Sequence, residues 1–304
     1  MKTRYAAFFV AMGFAGCASG TAYDQFLDAA PGETGGSDAG SNTPPSGDAG
    51  VEPDGNTTAA PTDAPPAQPG TQLLLTEVVL APSNAEFIEI ANPTNATVNL
   101  GTYYLSDSGN YFKTPTGVLG LATSDFVVKF PANASIPAGG VITVSMDTAA
   151  NFQTVYGAAP TYALAAMAPI ATSGTPSLTN EGEIIVLFEW DGASDLVRDV
   201  DMLLAGVPTA SNGIVDKSGV AIDGPDANTT TTAYKSDAKT ILAQSAAPAA
   251  NKSTKRIGPE ATYETHSGSG NGLDGDDETS ENTAMTWDTA FTAPTPGTVP
   301  ATLH

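Results

Sequence analysis

The sequence changes character at Thr71, and that break decides where a fold can exist. From Ala18 to Gly70 there is no Lys or Arg, while eight acidic residues, eight Pro and nine Gly are spread along the stretch. Apart from Tyr23, Phe26 and Leu27 it has almost nothing to bury. It cannot offset the entropy of ordering and is expected to be a disordered linker. Like charges and Pro rings should keep it extended. A buried core must therefore come from the residues that follow.

Those residues carry strand signals. Gln72 to Leu80 is an apolar, β-branched run that stops before Pro82. Glu86-Phe87-Ile88-Glu89-Ile90-Ala91 alternates with the period of a half-buried strand, and Asn92-Pro93-Thr94-Asn95 is a turn cluster. Val98 to Leu105 reads as a third strand bent at Gly101. Phe126 to Phe130 and Gly140 to Met146 read as strands on either side of Pro131 to Gly139. Glu183 to Trp190 is the strongest strand, and Leu196 to Leu204 should pair with it across Asp191-Gly192. One short helix is expected, capped by Asp147, running from Thr148 to Tyr156 and ended by Gly157. Many short strands with Gly and Pro turns predict an all-β sandwich. Phe87, Ile88, Ile90, Leu100, Tyr104, Leu105, Val144, Ile185, Leu187 and Val200 are its expected core, with Phe87 on the opposite face from Ile88 and Ile90 and so a candidate for exposure.

The N-terminus has the parts of a secretory signal. Lys2 and Arg4 precede an apolar run from Tyr5 to Phe14, too short to span a bilayer. Phe14-Ala15-Gly16-Cys17 then resembles the bacterial lipobox, in which the thiol is acylated and the chain is cut before it; Phe14 stands where that motif prefers an aliphatic residue. Cys17 is the one Cys of the sequence. The expected organisation is a lipoprotein signal peptide over 1–16, a lipid-anchored acidic linker over 17–70 and a β-sandwich over 71–300. Ala18, rather than Asp, after the Cys implies by the same resemblance an outer-membrane or cell-surface location.

The formal charge is −22, and loss of Lys2 and Arg4 with the signal makes it two units more negative. Such a surface repels phosphate backbones and argues against a nucleic-acid partner. With its one thiol acylated the chain can form no internal disulfide, and a domain of this size does not need one.

Several stretches, in order, resemble the lamin tail domain family. They are Leu74-Leu75-Thr76-Glu77-Val78, Glu86-Phe87-Ile88-Glu89-Ile90-Ala91-Asn92-Pro93-Thr94, Val98-Asn99-Leu100 and Tyr104-Leu105-Ser106-Asp107. Ile136-Pro137-Ala138-Gly139-Gly140, Leu178-Thr179-Asn180-Glu181-Gly182-Glu183, Val197 to Asp201, Lys255-Arg256 and Thr295-Pro296-Gly297 continue the likeness to Thr298. Ala91 and Thr102 depart from it, standing where members often have an aromatic residue and Gly. The resemblance implies an immunoglobulin-like β-sandwich and no catalysis. Glu89, recurring in the pattern, must face away from Ile88 and Ile90. It either accepts hydrogen bonds that fix a neighbouring loop or lies in solvent.

Chemistry is sparse. The two His are His266 and the terminal His304, and there is neither a zinc-protease helix motif nor a serine-hydrolase elbow. Gly270-Asn271-Gly272-Leu273-Asp274-Gly275 has dinucleotide-loop spacing but neither follows a strand nor opens a helix. The same stretch crowds acids: Asp274, Asp276, Asp277 and Glu278 are candidate Ca²⁺ ligands, with Asp216, Asp223 and Asp226 as a second acidic group. A solvated acidic insertion is the simpler account of them and the one favoured. No cofactor is required, and Ca²⁺ is the one candidate. The expected function is a lipid-anchored envelope or surface protein presenting a non-catalytic sandwich for binding or structural work, held to the membrane by its lipid and facing an envelope partner. The alternative is a metal-assisted extracytoplasmic hydrolase, which needs Asp226, Asp274 and Asp276 to converge.

Overall fold

The computed structural model describes residues 72–206, 215–237, 244–258 and 270–303; Cys17, the linker 17–70, His266 and His304 lie outside them. The apolar run at the start becomes β1 (Leu74–Val79) and the alternating segment becomes β2 (Phe87–Ala91). β3 (Val98–Asn99), β4 (Tyr103–Ser106), β5 (Phe126–Lys129), β6 (Ser135–Ile136) and β7 (Val141–Ser145) follow. Next come α1 (Ala149–Tyr156), β8 (Tyr162–Ala163), β9 (Ala168–Thr172), β10 (Gly182–Glu189) and β11 (Arg198–Gly206). β12 (Ala221–Ile222), β13 (Thr232–Ala233), β14 (Thr254–Lys255) and the single turn α2 (Thr283–Thr286) complete the list.

Two five-stranded sheets carry the fold, in the orders β14-β1-β2-β7-β8 and β11-β10-β4-β5-β9. Pairing is antiparallel except between β7 and β8. Ile88 opposite Val144, and Leu187 opposite Leu105, set the two registers. Leu75, Val78, Ile88, Ile90 and Val144 of the first sheet meet Leu105, Val128, Ile185, Leu187 and Leu203 of the second in one core. All ten core residues expected from the sequence are buried, none more than 1 % exposed.

The outer faces are covered too. Ile184, Val186, Phe188, Met202 and Leu204 pack beneath Tyr111, Phe112, Val215, Ile222 and Tyr234. Burial on both faces is why β10 reads as a continuous apolar run instead of alternating. On the first sheet Phe87 is covered by Phe152 and Tyr156 of α1, with rings edge to face at 5.7 and 5.3 Å. Phe87 is therefore inside, not the exposed residue its strand face allowed.

Other local readings shift. The run Val98 to Leu105 is two strands: β3 pairs with β6, while β4 enters the second sheet. Asn99 makes the corner, its Oδ1 accepting the Gly101 N–H at 2.8 Å. Thr148 rather than Asp147 caps α1, accepting from the Asn151 N–H at 3.2 Å, and Asp147 braces it by accepting from the Thr148 N–H at 2.6 Å. Gly157 ends the helix in the left-handed region, φ 79°. β9 was not expected, because Pro169 interrupts it; Pro is tolerated there since β9 is a sheet edge.

Candidate functional site

The acids of the strand motifs are turned inward onto loop backbone. Glu86 Oε2 accepts the Leu178 N–H at 3.0 Å, and Glu183 Oε2 accepts the Thr179 N–H at 2.7 Å. Asp107 Oδ1 accepts the Phe126 N–H at 2.6 Å. Glu77 Oε1 accepts from Ser253 Oγ at 2.5 Å and from the Thr295 N–H at 2.9 Å. Glu89 is fully buried; its Oε1 accepts from Thr76 Oγ1 at 2.9 Å and its Oε2 from the Gly297 N–H at 2.6 Å. Of the two roles open for Glu89, fixing a loop is the one realised. Burial pushes Glu86, Glu89 and Glu183 up to about 7, the backbone hydrogen bonds pulling the other way. Carboxylates consumed in this way hold loops and are not presented to a substrate.

Lys217 centres a buried network that the sequence reading missed. Its ammonium contacts Asp199 Oδ2, donates to Tyr111 Oη at 2.8 Å and lies 3.8 Å from Asp237 Oδ1. Tyr111 Oη donates to Asp199 Oδ1 at 2.6 Å, and Asp237 Oδ2 accepts the Lys217 N–H at 2.5 Å. Asn271 supplies the remaining donor, to Asp237 Oδ1 at 2.8 Å. The glycine-rich stretch at 270–275 carries Asn271. A Cβ on Gly270 would lie 1.8 Å from the Asp276 carbonyl, and Gly275 sits at φ 87°, so the loop closes only with glycine. A signal was available: with 11 Lys and Arg against 33 acids, each cation of this chain is a candidate counter-ion.

Arg256 centres a second network. Its Nη2 donates to Asp201 Oδ1 at 2.6 Å, its Nη1 to Glu281 Oε1 at 3.2 Å, and its Nε to the Leu75 carbonyl at 2.8 Å. The guanidinium carbon lies 5.2 Å from the centre of the Trp287 ring. Asp201 Oδ2 also accepts the Leu75 N–H at 2.5 Å. Burial pushes Asp201 up to about 7 against the pull of Arg256, with Glu281 adding to the rise.

The four expected Ca²⁺ ligands do not share one surface. Asp274 is exposed and Asp276 half-buried, while Asp277 and Glu278 are buried. Asp277 Oδ1 accepts from Thr279 Oγ1 at 2.8 Å, and Glu278 Oε1 from Gln72 Nε2 at 3.2 Å. Among the described residues, two groups of three acids bring ligand atoms within 4.8 Å of one another: Asp195 with Asp223 and Asp226, and Asp201 with Glu278 and Glu281. Neither group holds Asp226 together with Asp274 or Asp276, and Asp216 accepts the Ser218 N–H of its own turn at 3.0 Å.

A concavity of about 600 Å³ is lined by Trp190, Leu196 and Arg198 together with Asp191, Asp195 and Asp226. Its acids also brace turns. Asp191 accepts from the Ala193 and Ser194 N–H groups at 2.8 and 2.7 Å, and Ser194's hydroxyl and backbone hydrogen bonds hold it down at about 2. Asp195 accepts the Gly224 N–H at 2.8 Å. The hydroxyls of this groove are held by the same acids: Ser194 Oγ donates to Asp191 Oδ2 and Thr232 Oγ1 to Asp195 Oδ2, each at 2.5 Å.

No curated protein matches the chain. The family model described as Lamin Tail Domain matches residues 66–201, ending at the Asp201 that Arg256 holds; the motifs from Lys255 to Gly297 lie beyond the match but pack on its first two strands. Residues 66–201 are thus a lamin tail domain, and this chain carries the immunoglobulin-like β-sandwich of that family.

Proposed function

We propose that the chain is a lipid-anchored cell-envelope protein that holds a non-catalytic lamin tail sandwich away from a membrane for binding or structural work. The observation that carries this reading is Cys17, the one thiol of the sequence, placed directly after Ala15-Gly16 at the end of a short apolar run. The acidic, Pro-rich stretch 18–70 then acts as a tether, and Ala18 directs the protein to the outer membrane or cell surface. Its partner is an envelope component rather than a nucleic acid, given a charge of −22. The hydrolase alternative is not favoured, because Asp226 groups with Asp195 and Asp223 and not with Asp274 or Asp276. The test is fractionation of Cys17→Ser. A diacylglyceryl and an added acyl chain contribute about 0.8 kcal/mol per buried CH₂, enough for two chains to anchor stably. The Ser variant should leave the membrane fraction or accumulate as uncut precursor. Unchanged fractionation would end the lipoprotein reading.

A further inference from the structure

Of the two buried ion networks, the one around Lys217 contains a nucleophile. The guanidinium of Arg256 is delocalised and stays charged, whereas an ammonium becomes a primary amine on losing one proton. Lys217 is 0 % exposed, and around it Tyr111 is 0 %, Asp199 1 % and Asp237 5 % exposed. Lys217 Nζ touches Asp199 Oδ2, so the carboxyl carbon lies one bond beyond the contact. On the other oxygen of that carboxylate, Oδ1, Tyr111 Oη donates at 2.6 Å. Asp237 Oδ1 stands 3.8 Å from Nζ. The Asp237 carboxylate is fixed by the Lys217 N–H on Oδ2 and by Asn271 Nδ2 on Oδ1. Burial raises Asp237 above its ordinary value against the pull of Lys217. An amine, a carboxyl carbon, a donor on the carbonyl oxygen and a second carboxylate to move protons are the parts of an amide-forming site. There is also a charge reason to react. Two carboxylates and one ammonium are buried together, and condensation removes one charge of each sign from a low-dielectric place.

We propose that Lys217 and Asp199 condense to an isopeptide bond, which ties the returning chain covalently to β11. One proton passes from Nζ to the Oδ2 it touches, giving an amine and a carboxylic acid. The Nζ lone pair then forms a bond to Cγ of Asp199, and Tyr111 Oη holds the charge that develops on Oδ1. Asp237 takes a second proton from Nζ and hands it to the Oδ2 hydroxyl. The Cγ–Oδ2 bond breaks, one water leaves, and Asp237 is again a carboxylate. The amide keeps the third Nζ hydrogen. No oxidant or other co-reactant is consumed, and burial keeps out the water that would reverse the step. With one Cys in the sequence no internal disulfide can form, and this amide supplies a cross-link by other means.

The test is a tryptic digest of the denatured full chain, read by tandem mass spectrometry. In an unlinked chain trypsin cuts after Arg198 and Lys217 and releases the peptide 199–217. An acylated Lys217 is not cut. The expected product is the peptide 199–235, lighter than its sequence by one water and giving no backbone fragments between 199 and 217, with free 199–217 all but absent. A succinimide at Asp223-Gly224 also loses one water but leaves Lys217 open to the enzyme, so the two are told apart. Asp237→Asn, nearly the same shape, should release at least tenfold more of 199–217 than the parent. The parent digest needs no variant to fold: free 199–217 as its main product would overturn the bond. A cross-linked pair of 199–235 with 236–239 would place the amide on Asp237 and overturn the assignment of Asp199. Linkage in Asp237→Asn equal to that of the parent would overturn the proton route.

Discussion

The strands between Leu74 and Gly206 and the chain that returns over them from Val215 are attached by different physics. The strands bury aliphatic side chains between two sheets, where attraction is non-directional and a core residue has many neighbours. The returning segments contain three two-residue strands, one α-helical turn and three 3₁₀ turns among their described elements. They are fixed at a few directional points: Lys217 on Asp199, Arg256 on Asp201, and Thr295 and Gly297 on Glu77 and Glu89. Apolar packing loses stability in proportion to what is removed. An ion network loses more than the deleted group contributed, because the partners stay behind, buried and uncompensated.

The sharpest way to break this comparison is Lys217→Met. It leaves Asp199 and Asp237 facing each other without a cation and should cost about 3–5 kcal/mol in equilibrium urea unfolding. Adding Asp199→Asn to the same chain should restore part of that loss. A cost under about 1 kcal/mol would mean that the network is not a point of attachment. Next in size is Leu187→Ala, expected to cost about 2–5 kcal/mol. Because Leu187 sits in the shared core, its loss should lower protection of both regions together in hydrogen exchange. A selective loss over 215–303 would contradict the division drawn above.

Glu89→Gln should have the smallest effect, about 1–3 kcal/mol, and the most local one. Amide exchange at Gly297 should rise, while that of β10 stays as in the parent. The same variant reads out the pH dependence. Glu86, Glu89 and Glu183 move from 4.5 to about 7 on folding, so the folded chain keeps protons that the unfolded chain has lost between those values. Their stabilisation is complete below about pH 4.5 and disappears as pH rises through about 7. Asp191, held at about 2, acts in the opposite sense only near and below its ordinary value of 3.8, outside this window. The thermal midpoint should therefore be lower at pH 8 than at pH 5, and Glu89→Gln should flatten that slope. A midpoint that rises with pH would show that these carboxylates are ionised in the fold.

How far the sequence could be read follows from the range of each interaction. β2 and β10 were legible, because alternation and apolar runs reflect which faces of a strand are wet. The left-handed stop at Gly157 was legible for a similarly local reason. The burial of Phe87 was not, since it depends on where α1 lies after the chain has crossed to β7. Nor was the role of the 270–275 glycines, whose spacing imitated a nucleotide loop but whose close approach is to the carbonyl of Asp276. In the acidic stretch the sequence displayed carboxylates without saying which were solvated; Asp274 is exposed and Glu278 lies inside.

The sequence by itself determined that strand-forming texture begins after residue 71, that the fold is built from short strands, and which aliphatic residues form the core. Side-chain period and turn chemistry act over a few residues, so they are written in order along the chain. The tertiary structure decided the company each charge keeps. Glu77 meets Thr295 and Arg256 meets Leu75 across separations of 218 and 181 residues, and nothing local marks either pair. Coulomb forces and hydrogen bonds act on whatever the fold brings within reach, so an acid becomes a brace or a counter-ion only once the sheets have closed around it.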